Sequence, residues 1–205
     1  MSRVTTKIST PKIRDFLKDR GAAIVGVAPI KSVLTDDRYE GLVYGACPSA
    51  NCVIVFGTSF PQSTLDACPD NPRPAIYALH ALYAEGEQIS LRLSRFLESI
   101  GYRGVIIPAY LPVEMSYETM GMKGDLNLKL AAVEAGLGSR GVSDLLITPE
   151  FGPRVRLFGV ISDAPLKPTP KLEHEVCTSC GKCATACPSG AISFNPESGI
   201  NVVGS

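Results

Sequence analysis

Runs of apolar residues and the breaks between them divide this chain into helices and strands before any chemistry is considered. Ala22 to Ala28 is continuously apolar and β-branched in its middle, which predicts a short buried strand. Cys52 to Thr58, Cys-Val-Ile-Val-Phe-Gly-Thr, predicts a second strand of the same kind. Before them, Thr10 followed by Pro11 predicts a helix start with Thr10 as its cap, running through Ile13, Phe16 and Leu17 to Arg20 and closed by Gly21. Lys31 to Asn51 has little periodicity and reads as a loop with a short helical piece. Pro61 to Pro74 carries four prolines and reads as a surface excursion.

Beyond it, Ile76, Leu79, Leu82, Tyr83, Ile89, Leu93, Phe96, Leu97 and Ile100 keep a helical period, giving one long helix or two in line near Gly86. Gly101 ends that helix, and Arg103 to Ala109 returns as a strand. Asp125 is the expected N-cap of a further helix through Leu126, Leu130, Ala131 and Val133, with Gly136 as its C-cap. Leu145 to Thr148 and Val155 to Ser162 read as strands joined by a turn at Glu150 to Pro153. The alternation predicts an α+β or α/β body with helices layered over a sheet. Lys167 to Lys171, Lys-Pro-Thr-Pro-Lys, reads as a stiff linker, dividing the chain into a body of residues 1–166 and a small module of residues 167–205.

That module states its chemistry directly. Cys177, Cys180, Cys183 and Cys187 are spaced C-x2-C-x2-C-x3-C and followed by Pro188, the bacterial ferredoxin run that wraps a 4Fe–4S cluster with one thiolate per iron. A tetrahedral zinc site takes two separated pairs, and a disulfide framework needs an oxidising compartment and a smaller chain, so the cluster leads both. In two-cluster ferredoxins the fourth cysteine of such a run serves the other cluster. The sequence has no second run, which leaves three readings: a longer natural chain, a fourth ligand from Cys187 or from Cys47, Cys52 or Cys68, or a 3Fe–4S cluster. A longer natural chain is the favoured expectation.

At 205 residues, 45% hydrophobic and 20% charged, the chain has the composition of a globular protein and not of a disordered or fibrous one. Its formal net charge of zero gives no global attraction for nucleic acid or anionic lipid. It lacks a membrane-length apolar run and a signal-peptide core, so the cytoplasm is the expected compartment.

The words Ala-Val-Glu-Ala-Gly-Leu-Gly-Ser-Arg-Gly (132–141), Leu-Leu-Ile-Thr-Pro-Glu-Phe-Gly-Pro-Arg-Val-Arg (145–156) and Ser-Asp-Ala-Pro-Leu (162–166), in that order before the cysteine run, resemble the epoxyqueuosine reductase and reductive dehalogenase-like iron–sulfur proteins. The resemblance implies a nitroreductase-like, corrinoid-binding body, a ferredoxin-like module, and an oxidoreductase that passes electrons from the cluster to cobalamin or substrate. It implies an electron donor protein such as a ferredoxin or flavodoxin and a small-molecule substrate. Flavin is the less favoured body cofactor. The alternative is an electron carrier or docking partner with no cofactor in the body.

Gly136, Gly138 and Gly141 spell G-x-G-x-x-G, but a helix ends at this turn where a dinucleotide site needs one to begin. The glycines read first as a tight helix-to-strand turn, and the arginines Arg140, Arg154 and Arg156 as a solvated face. The resemblance implies backbone approach to a ligand at this turn, with the arginines at its polar rim, in a pocket facing the Cys177 loop. Tyr110, Tyr117, Glu118 and Asp125 are candidate pocket liners and proton donors, matched by an equal expectation of capping and packing. His80 and His174 read as structural, and Cys47, Cys52 and Cys68 as ordinary thiols. No residue is assigned as catalytic.

Overall fold

The structure is a computed structural model that describes residues 6–34, 37–109, 114–116, 121–124 and 126–192. Its elements are α1 (Thr10–Lys18), β1 (Ile24–Pro29), a 3-10 turn (Ile30–Ser32), α2 (Asp37–Ala46), β2 (Cys52–Ser59), α3 (Gln62–Asp66) and α4 (Arg73–Ser99). There follow β3 (Gly104–Ile107), β4 (Glu114–Ser116), β5 (Gly121–Lys123), α5 (Leu128–Glu134), β6 (Ser139–Arg140), β7 (Leu146–Ile147), β8 (Val155–Ser162) and α6 (Lys182–Thr185).

The main sheet has the order β1-β2-β8-β3, and every neighbouring pair is antiparallel. The body is therefore of the α+β kind, with helices on both faces. Alternate side chains of β2 explain why its whole length is apolar. Cys52, Ile54 and Phe56 point to a core shared with Ile13 and Leu17 of α1 and Leu93 and Leu97 of α4. Val53 and Val55 point the other way, to a core with Val43 of α2 and Ala131 and Ala132 of α5. A strand covered on both faces gains by being apolar at every position.

Helix α4 is one continuous helix of 27 residues. Gly86 belongs to its buried face, and a Cβ there would fall 2.1 Å from the Phe158 ring, so the apparent break in the apolar period is the point where helix and sheet touch. Phe158 stacks in turn on Phe56, with ring centroids 5.5 Å apart.

Several local expectations are corrected. The cap of α1 is Ser9, which makes no side-chain cap hydrogen bond, and the hydroxyl of Thr10, the expected cap, donates to the Lys167 carbonyl at 2.6 Å. The cap of α5 is Asn127, whose side chain accepts from Leu130 N at 3.1 Å; Asp125 lies outside the described residues. The helical piece expected between Lys31 and Asn51 is α2, ten residues long.

Lys167 to Lys171 runs against the body. Thr169 exchanges two hydrogen bonds with Val27 of the edge strand β1, its amide donating to the Val27 carbonyl at 2.9 Å and its hydroxyl accepting from Val27 N at 3.0 Å. Lys171 pairs with Glu134 at 2.5 Å. Gly136 adopts φ 68°, and a Cβ at that position would stand 2.0 Å from the Pro170 carbonyl oxygen. Only glycine meets both demands.

Candidate iron–sulfur loop and adjoining hollow

Cys177 and Cys183 are half-buried, Cys180 is exposed, Cys187 is half-buried, and all four thiols are free. Two left-handed residues flank Cys180: Ser179 at φ 52° and Gly181 at φ 72°. Left-handed backbone is uncommon for serine, and here it turns the chain back on itself at the centre of the run. Gly181 then opens α6, which carries Cys183. Hydrogen bonding lowers the Cys180 thiol, chiefly through the Lys182 amide, and lowers Cys187 to about 7, chiefly through the Ser189 hydroxyl.

Among the described residues no three His, Cys, Asp or Glu side chains converge as a metal-holding group. What the loop supplies is four closely spaced thiols, tight turns between them and donors that favour thiolate, the donor set that an iron–sulfur cluster takes. The body cysteines offer the opposite. Cys47 and Cys52 are buried, burial raises both thiols, and Cys52 is pushed up to about 12. Its sulfur faces the Ser162 and Ala164 carbonyls at 3.7 and 3.5 Å.

The loop begins on the glycine turn. The Ser139 hydroxyl oxygen accepts from Val176 N at 2.9 Å and from Cys177 N at 3.3 Å. Ser139 pairs with Ile147 and Arg140 with Leu146 in the β6–β7 ladder. Leu146 is also a wall of a hollow of about 510 Å3, formed with Phe60, Tyr83, Leu128, Val155 and Arg156 among others.

The three arginines go to different places. Arg156 lines this hollow, with its guanidinium carbon 5.6 Å from the ring centroids of both Phe60 and Tyr83. Its Nε is buried with no hydrogen-bond partner among the described residues, as is the Thr58 hydroxyl on the directly opposed residue of β2. Arg154 donates to the Phe60 carbonyl at 3.4 Å. Arg140 is held by Asp144 at 2.5 Å, and Lys129 contacts the same carboxylate. Lys129, Arg140 and Asp144 line a second hollow of about 420 Å3 that shares Asn127, Lys129 and Leu146 with the first.

The glycines make their close approaches to the chain itself: Gly136 to Pro170, and Gly138 and Gly141 to Ile147. Gly136 also borders a smaller cleft of about 240 Å3 with Arg14, Lys18 and Glu150. A further hollow of about 550 Å3 lies by Glu98, Tyr102 and Arg103, at the far end of β8, and lacks the orphan arginine. Tyr110, Tyr117, Glu118 and Asp125 lie outside the described residues. His80 and His174 are exposed.

Residues 170–193 match the 4Fe-4S binding domain family. Over 166 residues, 80% of this chain, the sequence is 32% identical to the tetrachloroethene reductive dehalogenase of Sulfurospirillum multivorans, covering 29% of that protein. It is 43% identical over 70 residues, 34% of this chain, to the epoxyqueuosine reductase of Listeria monocytogenes, covering 18% of it. This chain is a relative of the reductive dehalogenases and epoxyqueuosine reductases. Solved structures of both kinds share its fold. One of them is a reductive dehalogenase described as B12-dependent, with a TM-score of 0.62 and 18% identity over 94% of this chain and 27% of that one. This reductase relative thus spans less than a third of the length of either sequence relative.

Sequence reasoning missed Ser139, Thr58 and Asn127. Ser139 stood inside the recognised glycine words, but its partners are 37 and 38 residues away in sequence, and no local pattern announces them.

Proposed function

We propose that this chain is the electron-delivering part of an iron–sulfur reductase, in which Cys177, Cys180, Cys183 and Cys187 hold a 4Fe–4S cluster and the body presents the hollow beside Arg156 to a corrinoid or to the substrate. In this reading residues 1–166 are the receiving body and residues 167–205 the cluster module. The observation that carries it is the short structural path between the two: Cys177 is anchored on Ser139, Ser139 lies in the ladder with β7, and Leu146 of β7 walls the hollow.

The residues of the hollow suit a flat, polar-edged ring. Phe60, Leu126, Leu128, Leu145, Leu146, Val155 and Leu157 give apolar faces, and Arg156 and Lys129 give cationic donors at the edge. Leaving a buried arginine Nε without a partner costs about 1–3 kcal/mol, and a carbonyl or amide oxygen from a bound ring would recover it. A corrinoid, when bound, supplies a low-potential metal centre that reduces substrate, which is chemistry that no side chain provides. The chain's own residues orient that ring, exclude water from its faces and hold the cluster loop at the adjoining turn. An electron donor protein, such as a ferredoxin or flavodoxin, refills the cluster from the side where Cys180 is exposed.

Anaerobically prepared protein is expected to be brown and to contain iron and acid-labile sulfide in similar amounts. Titration with cobalamin is expected to change the corrinoid spectrum, and Arg156→Ala is expected to weaken that binding. Zinc without sulfide would refute the cluster. A cluster-loaded protein that binds neither cobalamin nor flavin mononucleotide would leave the electron-carrier reading in its place.

A further inference from the structure

We infer that the glycine turn of residues 136–141 is the receptor for the cluster loop, and that Ser139 is a positioning residue that holds two backbone amides away from the sulfur atoms of the cluster. The inference rests on the cluster reading above and adds a function for a glycine motif at which helix α5 ends, where a dinucleotide site needs a helix to begin.

Each part of the turn has a seat to offer. Gly136, in its left-handed conformation, lies under the Pro170 carbonyl. Gly138 brings β6 against β7 so closely that a Cβ would fall 2.4 Å from the Ile147 carbonyl oxygen. Any larger residue there would push β6 outward, and Ser139 with it. The Ser139 hydroxyl oxygen then collects the amides of Val176 and Cys177, the last residue before the run and its first ligand. Glu134 and Lys171 close the same junction with an ion pair.

Amide donors aimed at a ligand thiolate or sulfide stabilise the extra negative charge of a reduced cluster and raise its potential. Two such donors sit on the first ligand and the residue before it, and both are occupied by Ser139. An acceptor at this point therefore keeps the cluster a strong reductant and fixes the direction in which Cys177 leaves the turn.

Thr and Val at position 139 have nearly the same shape and differ in the hydroxyl, so the pair isolates it. Each variant and the wild type would be prepared anaerobically, assayed for iron and sulfide, and titrated for midpoint potential by electron paramagnetic resonance. Ser139→Thr is expected to match the wild type. Ser139→Val is expected to raise the midpoint potential, or to hold less iron per chain than Ser139→Thr while the body keeps its circular dichroism. Equal potentials and equal iron in the two variants would overturn the inference, as would a lower potential in Ser139→Val, which would make the hydroxyl a donor to sulfur. A wild type without iron and sulfide would instead overturn the cluster reading, and this inference with it, before any variant is compared.

Discussion

Cys52 and Cys187 carry the same thiol into opposite surroundings. Cys52 lies within the main sheet, sealed between layers, where burial pushes it up to about 12. Cys187 lies in the loop, where the Ser189 hydroxyl and nearby amides pull it down to about 7. Cys47 follows the first pattern and Cys180 the second. A sulfur surrounded by hydrocarbon serves as a small apolar side chain, whereas one surrounded by donors is prepared to become a thiolate ligand. The body and the loop therefore divide the cysteines by environment, and counting residues alone could not have done so.

The sharpest test of this division is alkylation of the metal-free chain. At neutral pH the thiolate fraction of Cys187 exceeds that of Cys52 by about five powers of ten, given values of about 7 and about 12. Iodoacetamide followed by mass spectrometry is expected to find Cys180 and Cys187 modified in the native protein, and Cys47 and Cys52 only after denaturation. Because the Cys187 value is lowered, its labelling should rise as pH climbs through about 7 and level off above. Equal labelling of all four would break the comparison.

Next in size is Cys180→Ala, which removes the exposed thiol of the cysteine run. Iron and sulfide are expected to fall to a small fraction of wild type, with the thermal midpoint of the metal-free body unchanged; a shifted midpoint would show that loop and core are coupled. Gly86→Ala acts from the other side. The new methyl meets Phe158, and a cost of about 1–3 kcal/mol is expected in denaturant unfolding, with cluster content intact under native conditions.

The smallest effect concerns Asp144. Burial raises its carboxyl, but hydrogen bonds from Lys129 and Arg140 outweigh that and leave it below the usual carboxylate range. A lowered carboxylate contributes stability above its unfolded value and loses it as pH falls through the folded one. Asp144→Asn, which tolerates the φ of 60° at this residue, should cost less than about 1 kcal/mol at neutral pH, and the two melting curves should converge in acid.

The elements that could be read from sequence were those whose cause is local. β2 and β8 announced themselves as apolar runs because both their faces are covered, and α4 by its period. The cysteine run was legible because ligand spacing is itself a local property. By contrast, α2 hid behind Gly41 and Gly45, which weaken the apolar pattern of a ten-residue helix. The cap of α5 fell to Asn127, whose side chain reaches the Leu130 amide three residues on. The segment Lys-Pro-Thr-Pro-Lys read as a stiff linker, and its docking on the body was not legible because its partner Val27 is 142 residues away from Thr169. The three arginines lie close in sequence, and their partners could not be read from it: Arg154 and Arg156 both meet Phe60, at its carbonyl and its ring, whereas Arg140 is held by Asp144.

The exchange between Thr169 and Val27 has a consequence for the life of the chain outside its redox chemistry. β1 is an outer strand, and its free side is a template on which another molecule's strand could stack. Thr169 covers the middle of that template with the chain's own backbone. A nascent chain that has emerged only as far as Ser162 has every strand of the main sheet but not this cover, so its period of greatest vulnerability to self-association ends when the ribosome has released the threonine.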